Sequence, residues 1–220
     1  MNKARWVVLA ALAALLLIPF VLRWKNPAEP AAAVPADCDR LVIVTAHNKA
    51  VCDEYEYAFR RYYRENFHRD IKIEFLCPGG TSDIVRFISD RFEAEFRHHW
   101  ENRHRLWKPA YAGCFCDPKY DAVAADSEAG QLRREFLNSE IGIGIDVFAG
   151  GGTFEQQRMA AKGYAVPGGV ERRHPEYFRH IPAVFGGETV YDRDGRYYGV
   201  VLSTFGIACN TDRLSVYTLC

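Results

Sequence analysis

The chain has no excess of either charge. Its 220 residues carry 28 Lys and Arg against 28 Asp and Glu, so the basic footprint of a nucleic-acid binder is missing and no nucleic acid is expected as a partner. Gly-Lys-Ser and Gly-Lys-Thr do not occur, which excludes a phosphate loop of the GxxxxGK[ST] kind. A dinucleotide fingerprint needs GxGxxG at a strand-to-helix turn, whereas "GIGIDVFAGGG" places its GxG inside the strand. No GxSxG nucleophile elbow is present either, so neither covalent catalysis nor a cofactor is expected, and the chain does not read as an enzyme. Beyond the N-terminus there is no second long apolar run.

What is there is enough to build a core. Hydrophobic residues make up 49% of the chain and aromatics 14%, and the length suits one domain or two small ones. At the N-terminus, Lys3 and Arg5 precede an apolar run from Trp6 to Leu22, with Pro19 inside it and Arg23 and Lys25 after it. Seventeen residues of helix span roughly 25 Å, a little short of a hydrocarbon core of about 30 Å. Residues 1–25 therefore read as a signal peptide or a signal anchor, and the remainder is expected outside the cytoplasm, periplasmic or extracytoplasmic. The stretch "NPAEPAAAVPAD", residues 26–37, reads as a spacer, and Val34-Pro35-Ala36 offers a small-residue cleavage site. No Leu-rich lipobox precedes Cys38, which argues against a lipid anchor.

Seven cysteines in an exported chain pose a redox question. Cys52, Cys77 and Cys209 lie in apolar segments and read as buried free thiols. Cys114 and Cys116 form a CxC downstream of His98, His99 and His104. These five match no well-specified zinc spacing, and a helix puts His98 and His99 on different faces, so no metal site is expected there. A metal-dependent hydrolase built on this cluster remains the alternative reading.

From Leu41 the pattern alternates. "RLVIVTAH", residues 40–47, is a buried strand. Residues 51–67 space Val51, Tyr55, Ala58, Phe59, Tyr62 and Phe67 as one face of an amphipathic helix. "IKIEFLCPGG", residues 71–80, is a second strand, after which Thr81, Ser82 and Asp83 offer capping oxygens to a helix carrying Ile84, Ile88, Phe92, Phe96 and Trp100. Residues 101–140 read as an insertion on the surface of the sheet, with a short helix in "EAGQLRREFLNSE". The third strand is expected over 141–152, followed by the helix of "TFEQQRMAAKG" closing at Gly163. Residues 164–190 are loop with a short helix at Pro175 to Phe178. Residues 190–214 read as a hairpin turning at Asp194-Gly195 into a long apolar strand. Strands alternating with helices in this way predict an α/β domain with an open, mostly parallel sheet.

Both "CPGGTSD" and "FAGGGTFE" put glycines and then Thr between the carboxyl end of a strand and the amino end of a helix. In an open α/β sheet that edge is where ligands sit, because bare backbone permits close approach and the first-turn N–H groups face outward. The candidate ligand-binding residues are Gly80, Thr81 and Ser82 in the first loop and Gly151, Gly152 and Thr153 in the second. His47 and Asn48 follow the first strand, and Ser203 and Thr204 lie in the last one.

"LVIVTAHN", "FLCPGGTSDIVRFI", "IDVFAGGGTFEQQRMAAKGY" and "YYGVVLSTFGIACNTDRL", in that order, resemble the extracellular solute-binding proteins of ABC importers, in the group that takes iron(III), polyamines or thiamine. The resemblance covers residues 40–214. It implies a periplasmic-binding-protein-like fold in which the ten residues named above face a cleft between two lobes. It also implies a monomer that captures a small solute, iron(III), an oxyanion or a small organic cation, and delivers it to an ABC permease in the cytoplasmic membrane. Residues 38–214 would then be a first lobe with an incomplete second lobe. The tail "SVYTLC", residues 215–220, does not look like the start of a lobe, so a truncated chain is expected, with an inert remnant as the other outcome.

Overall fold

The computed structural model describes residues 16–18, 38–122 and 127–201. The leader, apart from residues 16–18, lies outside the described residues, as do the spacer, the strand beyond Val201 with Ser203, Thr204 and Cys209, and the tail. Among the described residues no helix is long and apolar enough to cross a membrane.

The order of elements is β1 (Asp39–Thr45), α1 (Lys49–Phe67), β2 (Ile71–Leu76), α2 (Thr81–Glu101), α3 (Tyr111–Cys114), a 3-10 turn at Pro118–Tyr120, α4 (Glu128–Leu137), β3 (Val147–Ala149), α5 (Thr153–Lys162), α6 (Val170–Arg173), α7 (Pro175–Phe178) and the small hairpin β4 (Val184–Phe185) and β5 (Glu188–Thr189). The main sheet has three strands in the order β2-β1-β3. Ile43, Val44 and Thr45 pair in parallel with Val147, Phe148 and Ala149. The fold is mixed α/β, and its strand order reverses between β1 and β3.

Two compact units emerge. One holds Asp39, Arg40 and Tyr57–Lys72; the other holds Leu41–Glu56 and the described residues from Ile73 onward. Polar bonds dominate the first. The Asp39 N–H donates to Asp70 O at 3.2 Å, and the Asp39 carboxylate accepts from Tyr63 Oη at 2.7 Å and from Arg69 at 2.6 Å. Arg64 reaches Asp70 at 3.0 Å, and the rings of Tyr63 and Phe67 lie 4.8 Å apart. Phe59, Tyr62 and Phe67, expected as a core face, are exposed.

The second unit contains the main core, and its composition corrects the sequence reading. Residues 101–140 are no surface appendage: Trp107, Tyr111, Phe115, Cys116, Leu132 and Phe136 from this segment are buried with Ile84, Ile88, Phe92, Phe96 and Trp100 of α2. Phe96, fully buried, packs its ring 5.2 Å from Phe115 and 5.3 Å from Phe136. The apolar stripe of α2 is thus covered by a segment whose loop-like composition concealed its aromatics. Arg133, 2% exposed, binds this segment to α5. It donates to the Asp121 carboxylate at 2.7 Å, to Ala161 O at 2.8 Å and to Lys162 O at 2.5 Å. A buried guanidinium is tolerated only when its donors are satisfied in this way.

The third strand is shorter than expected. Gly144, at φ +69°, interrupts the extended run, and the ladder begins where the Asp146 carboxylate accepts the Val42 N–H at 2.7 Å and the Asp146 N–H donates to Val42 O at 2.9 Å. Helices α4, α5 and α7 lie where the sequence puts them, and α5 closes at Gly163. The turn at Asp194-Gly195 is present, with one antiparallel bridge between Tyr191 and Tyr198.

Candidate functional site

Three loops meet at the carboxyl ends of the sheet. β1 ends at Thr45, whose buried hydroxyl accepts the His47 N–H at 3.1 Å. β3 is hydrogen-bonded to β1, so the loop after it arrives beside the same hydroxyl: a Cβ built on Gly150 would lie 3.9 Å from Thr45 Oγ1 and 3.6 Å from His47 Nε2. The loop after β2 approaches from the other side. A Cβ on Gly151 would stand 3.2 Å from Thr81 Cγ2 and 3.2 Å from Phe148 Cζ, and Gly151 has φ +75°. Side chains are excluded there by space and by conformation together. The backbone is bare because two walls and a floor converge on it.

Half of the ten predicted residues come together, and the others fall elsewhere or take another role. His47, Thr81, Gly151, Gly152 and Thr153 surround this edge. Asn48 is a helix cap: its Oδ1 accepts the Val51 N–H at 3.1 Å at the start of α1, which accounts for it structurally. Gly80 is itself the N-cap of α2, so Thr81 and Ser82 are helical rather than capping. The capping oxygen is that of Asp83, which accepts the Gly80 N–H at 3.0 Å. Ser203 and Thr204 lie outside the described residues.

The electrostatics of the edge are local. At the start of α1, Lys49 pairs with Asp53 at 2.7 Å, and this hydrogen bond raises its pKa. In α5, Glu155 pairs with Arg158 at 3.1 Å. The amino end of α2 already holds the Asp83 carboxylate, which the helix dipole favours. The amino end of α5 has Gly152 as N-cap and no side-chain cap, leaving it the freer place for an acceptor group, with the Thr45 hydroxyl and the His47 ring beside it. Gln156 Nε2 donates to Gly150 O at 2.8 Å and holds that loop shut on its own helix.

Sequence reasoning missed Thr45, Gly150 and Gln156, while Asp83, offered as a cap together with Thr81 and Ser82, alone takes that role. A threonine ending an otherwise apolar strand was the available signal for the first. For the others the signal was weak, since an amide three to six residues past a glycine is common on any helix.

The five residues of the alternative metal cluster do not assemble. His98 contacts Asn102 at 3.0 Å, His99 contacts Arg103, and Cys114 reaches Tyr120 Oη at 3.7 Å. Among the described residues no three His, Cys, Asp or Glu side chains gather as a metal would require. Three shallow concavities lie away from the edge: on the outer face of α2 around Asp90 and Arg97, between Phe178 and Arg193, and between Ser89 and Tyr164. In the last, burial and the neighbouring Cys116 thiol push the Tyr164 phenol far up; a neutral ring stacked on Phe92 at 4.4 Å reads as core.

No protein-family model matches the chain, and neither a curated protein nor a solved structure matches it significantly.

Proposed function

We propose that the chain is the solute-binding component of an ABC-type importer, working outside the cytoplasmic membrane and handing a small solute to a permease. The observation that carries this reading is the convergence of three strand-end loops at the β1/β3 edge. In open α/β sheets the crevice at such a reversal of strand order is the usual ligand position. The loops offer donors: first-turn N–H groups of α5, the Thr81 and Thr153 hydroxyls, and the His47 ring. The donors suit a solute with acceptor oxygens, an oxyanion or a ferric carboxylate complex, better than a polyamine. On this reading the edge belongs to one lobe of a clamp, which closes on the solute by hinge motion.

Thermal unfolding against ferric citrate, phosphate, sulfate, spermidine and thiamine tests this. A ligand that binds only the folded state stabilises it by about 2.7 kcal/mol at a hundred times its Kd, so one oxygen-bearing solute should raise Tm by several degrees. Gly151→Val, which fills the edge, should abolish that rise. If no solute in the panel moves Tm, or if Gly151→Val responds like the wild type, the proposal fails.

A further inference from the structure

The solute-binding reading leaves the cysteines without a role, and two of them are placed to react with one another. All five described cysteines are free. Cys114 and Cys116 diverge, the first toward Tyr120 and the second toward Tyr164. Cys52 and Cys77 do the opposite. Cys52 stands in the first turn of α1, 4% exposed, with its Sγ 3.8 Å from His47 O at the end of β1. Cys77 is the residue after β2, the strand that lies next to β1, and it is exposed rather than buried as its apolar neighbours suggested. Because β2 neighbours β1, the end of β2 brings the Cys77 thiol beside that of Cys52, near enough to help raise its pKa. A thiol open to solvent beside a thiol facing the interior is the arrangement of an attacking and a resolving cysteine.

We propose that Cys52 and Cys77 form a reversible intramolecular disulfide that ties the start of α1 to the end of β2. The oxidant is a low-molecular-weight disulfide, RSSR. The Cys77 thiolate attacks one sulfur of RSSR, forms a mixed disulfide and expels RS⁻. Cys52 then loses its proton and attacks the Cys77 sulfur, forming the Cys52–Cys77 bond and expelling the second RS⁻. Two protein thiols are oxidised and one RSSR is reduced to two RSH. Burial and the neighbouring Cys77 raise the Cys52 pKa, which fits Cys52 to the second step, where it meets a sulfur already beside it. The bond closes a loop of roughly 25 residues, long enough to restrict the unfolded chain substantially. It also braces the candidate site, since Cys77 lies two residues before Gly79 and Cys52 touches the His47 carbonyl. The cross-link itself does not depend on what the site binds.

The test uses the full chain, incubated with oxidised or reduced glutathione, blocked with iodoacetamide and digested with trypsin without reduction. Oxidation should join the peptides 50–60 and 73–86 as the dominant cross-link, with a mass two hydrogens below their sum, and dithiothreitol should separate them. Oxidised wild type should unfold several degrees above reduced wild type. Cys77→Ser, a change at an exposed position, should remove both effects while keeping the far-ultraviolet circular dichroism of the wild type. Cys77 left as a stable glutathione adduct with Cys52 still alkylated would overturn the proposal. So would cross-links that join other cysteines, or recovery of both thiols alkylated after oxidation.

Discussion

Helices α1 and α2 follow consecutive strands and repeat aromatic residues at similar spacing, but their apolar faces meet different surroundings. Ile84, Ile88, Phe92, Phe96 and Trp100 of α2 are buried, whereas Tyr55, Tyr62 and Phe67 of α1 are about half exposed, at 50%, 50% and 53%. Periodicity identifies the face of a helix that can be buried. Whether it is buried depends on what the rest of the chain delivers against it, and residues 101–140 deliver five aromatic or aliphatic side chains to α2. The second half of α1 is held instead by the Asp39 carboxylate, shared between Tyr63 and Arg69.

This contrast can be tested by substitution. Phe96→Ala should have the largest effect, about 3–5 kcal/mol of destabilisation as expected for a buried aromatic, read as a lower denaturant midpoint. Tyr62→Ala on α1 should cost no more than about 0.5 kcal/mol. Equal costs for the two would erase the distinction between the helices. An intermediate effect is expected for Tyr63→Phe, which removes only the hydroxyl donated to Asp39. Losing this one hydrogen bond to a carboxylate should lower the urea midpoint by more than Tyr62→Ala does and by less than Phe96→Ala does. A cost as large as that of Phe96→Ala would mean that Tyr63 packs rather than bonds.

The smallest expected effect is one of pH. Burial, reinforced by the Arg103 and Arg105 guanidiniums and opposed by the Glu135 carboxylate, pushes the His99 pKa below the ordinary imidazole value. The folded state therefore favours neutral His99. Its contribution to stability is fully present above the unfolded pKa of about 6.5 and is lost progressively as the pH falls below that value and through the lower pKa of the folded state. Tm should decline more between pH 7.5 and 5.5 in the wild type than in His99→Asn. A steeper decline in the variant would reverse the sign of the argument.

The strand and helix order from β1 through α2, and α5 with its Gly163 stop, were legible because apolar periods of two and of three to four announce themselves locally. The covering of α2 was not. Trp107, Tyr111, Phe115, Leu132 and Phe136 are scattered among prolines, glycines and charges, and only the folded chain brings them to one place. The site was legible to the same degree. Glycine followed by threonine at a strand end marked two loops that the structure brings side by side, since the residue types state what the backbone needs. Partners that act across the sheet, Thr45 and Gly150 above all, depend on β1 and β3 being neighbours, and no local pattern carries strand order. Asn48 and Asp83 illustrate a further limit: a polar side chain at a helix start serves the cap first.

Arg133 has a consequence for how the chain opens. Its guanidinium takes acceptors from Asp121 on one side and from the last carbonyls of α5 on the other. Fraying α5 alone would leave a cation in a dry interior with half its acceptors gone, so that partial opening is nearly as costly as losing the whole core. The amides at the end of α5 should therefore exchange their hydrogens at the pace of global unfolding, although the helix is only ten residues long.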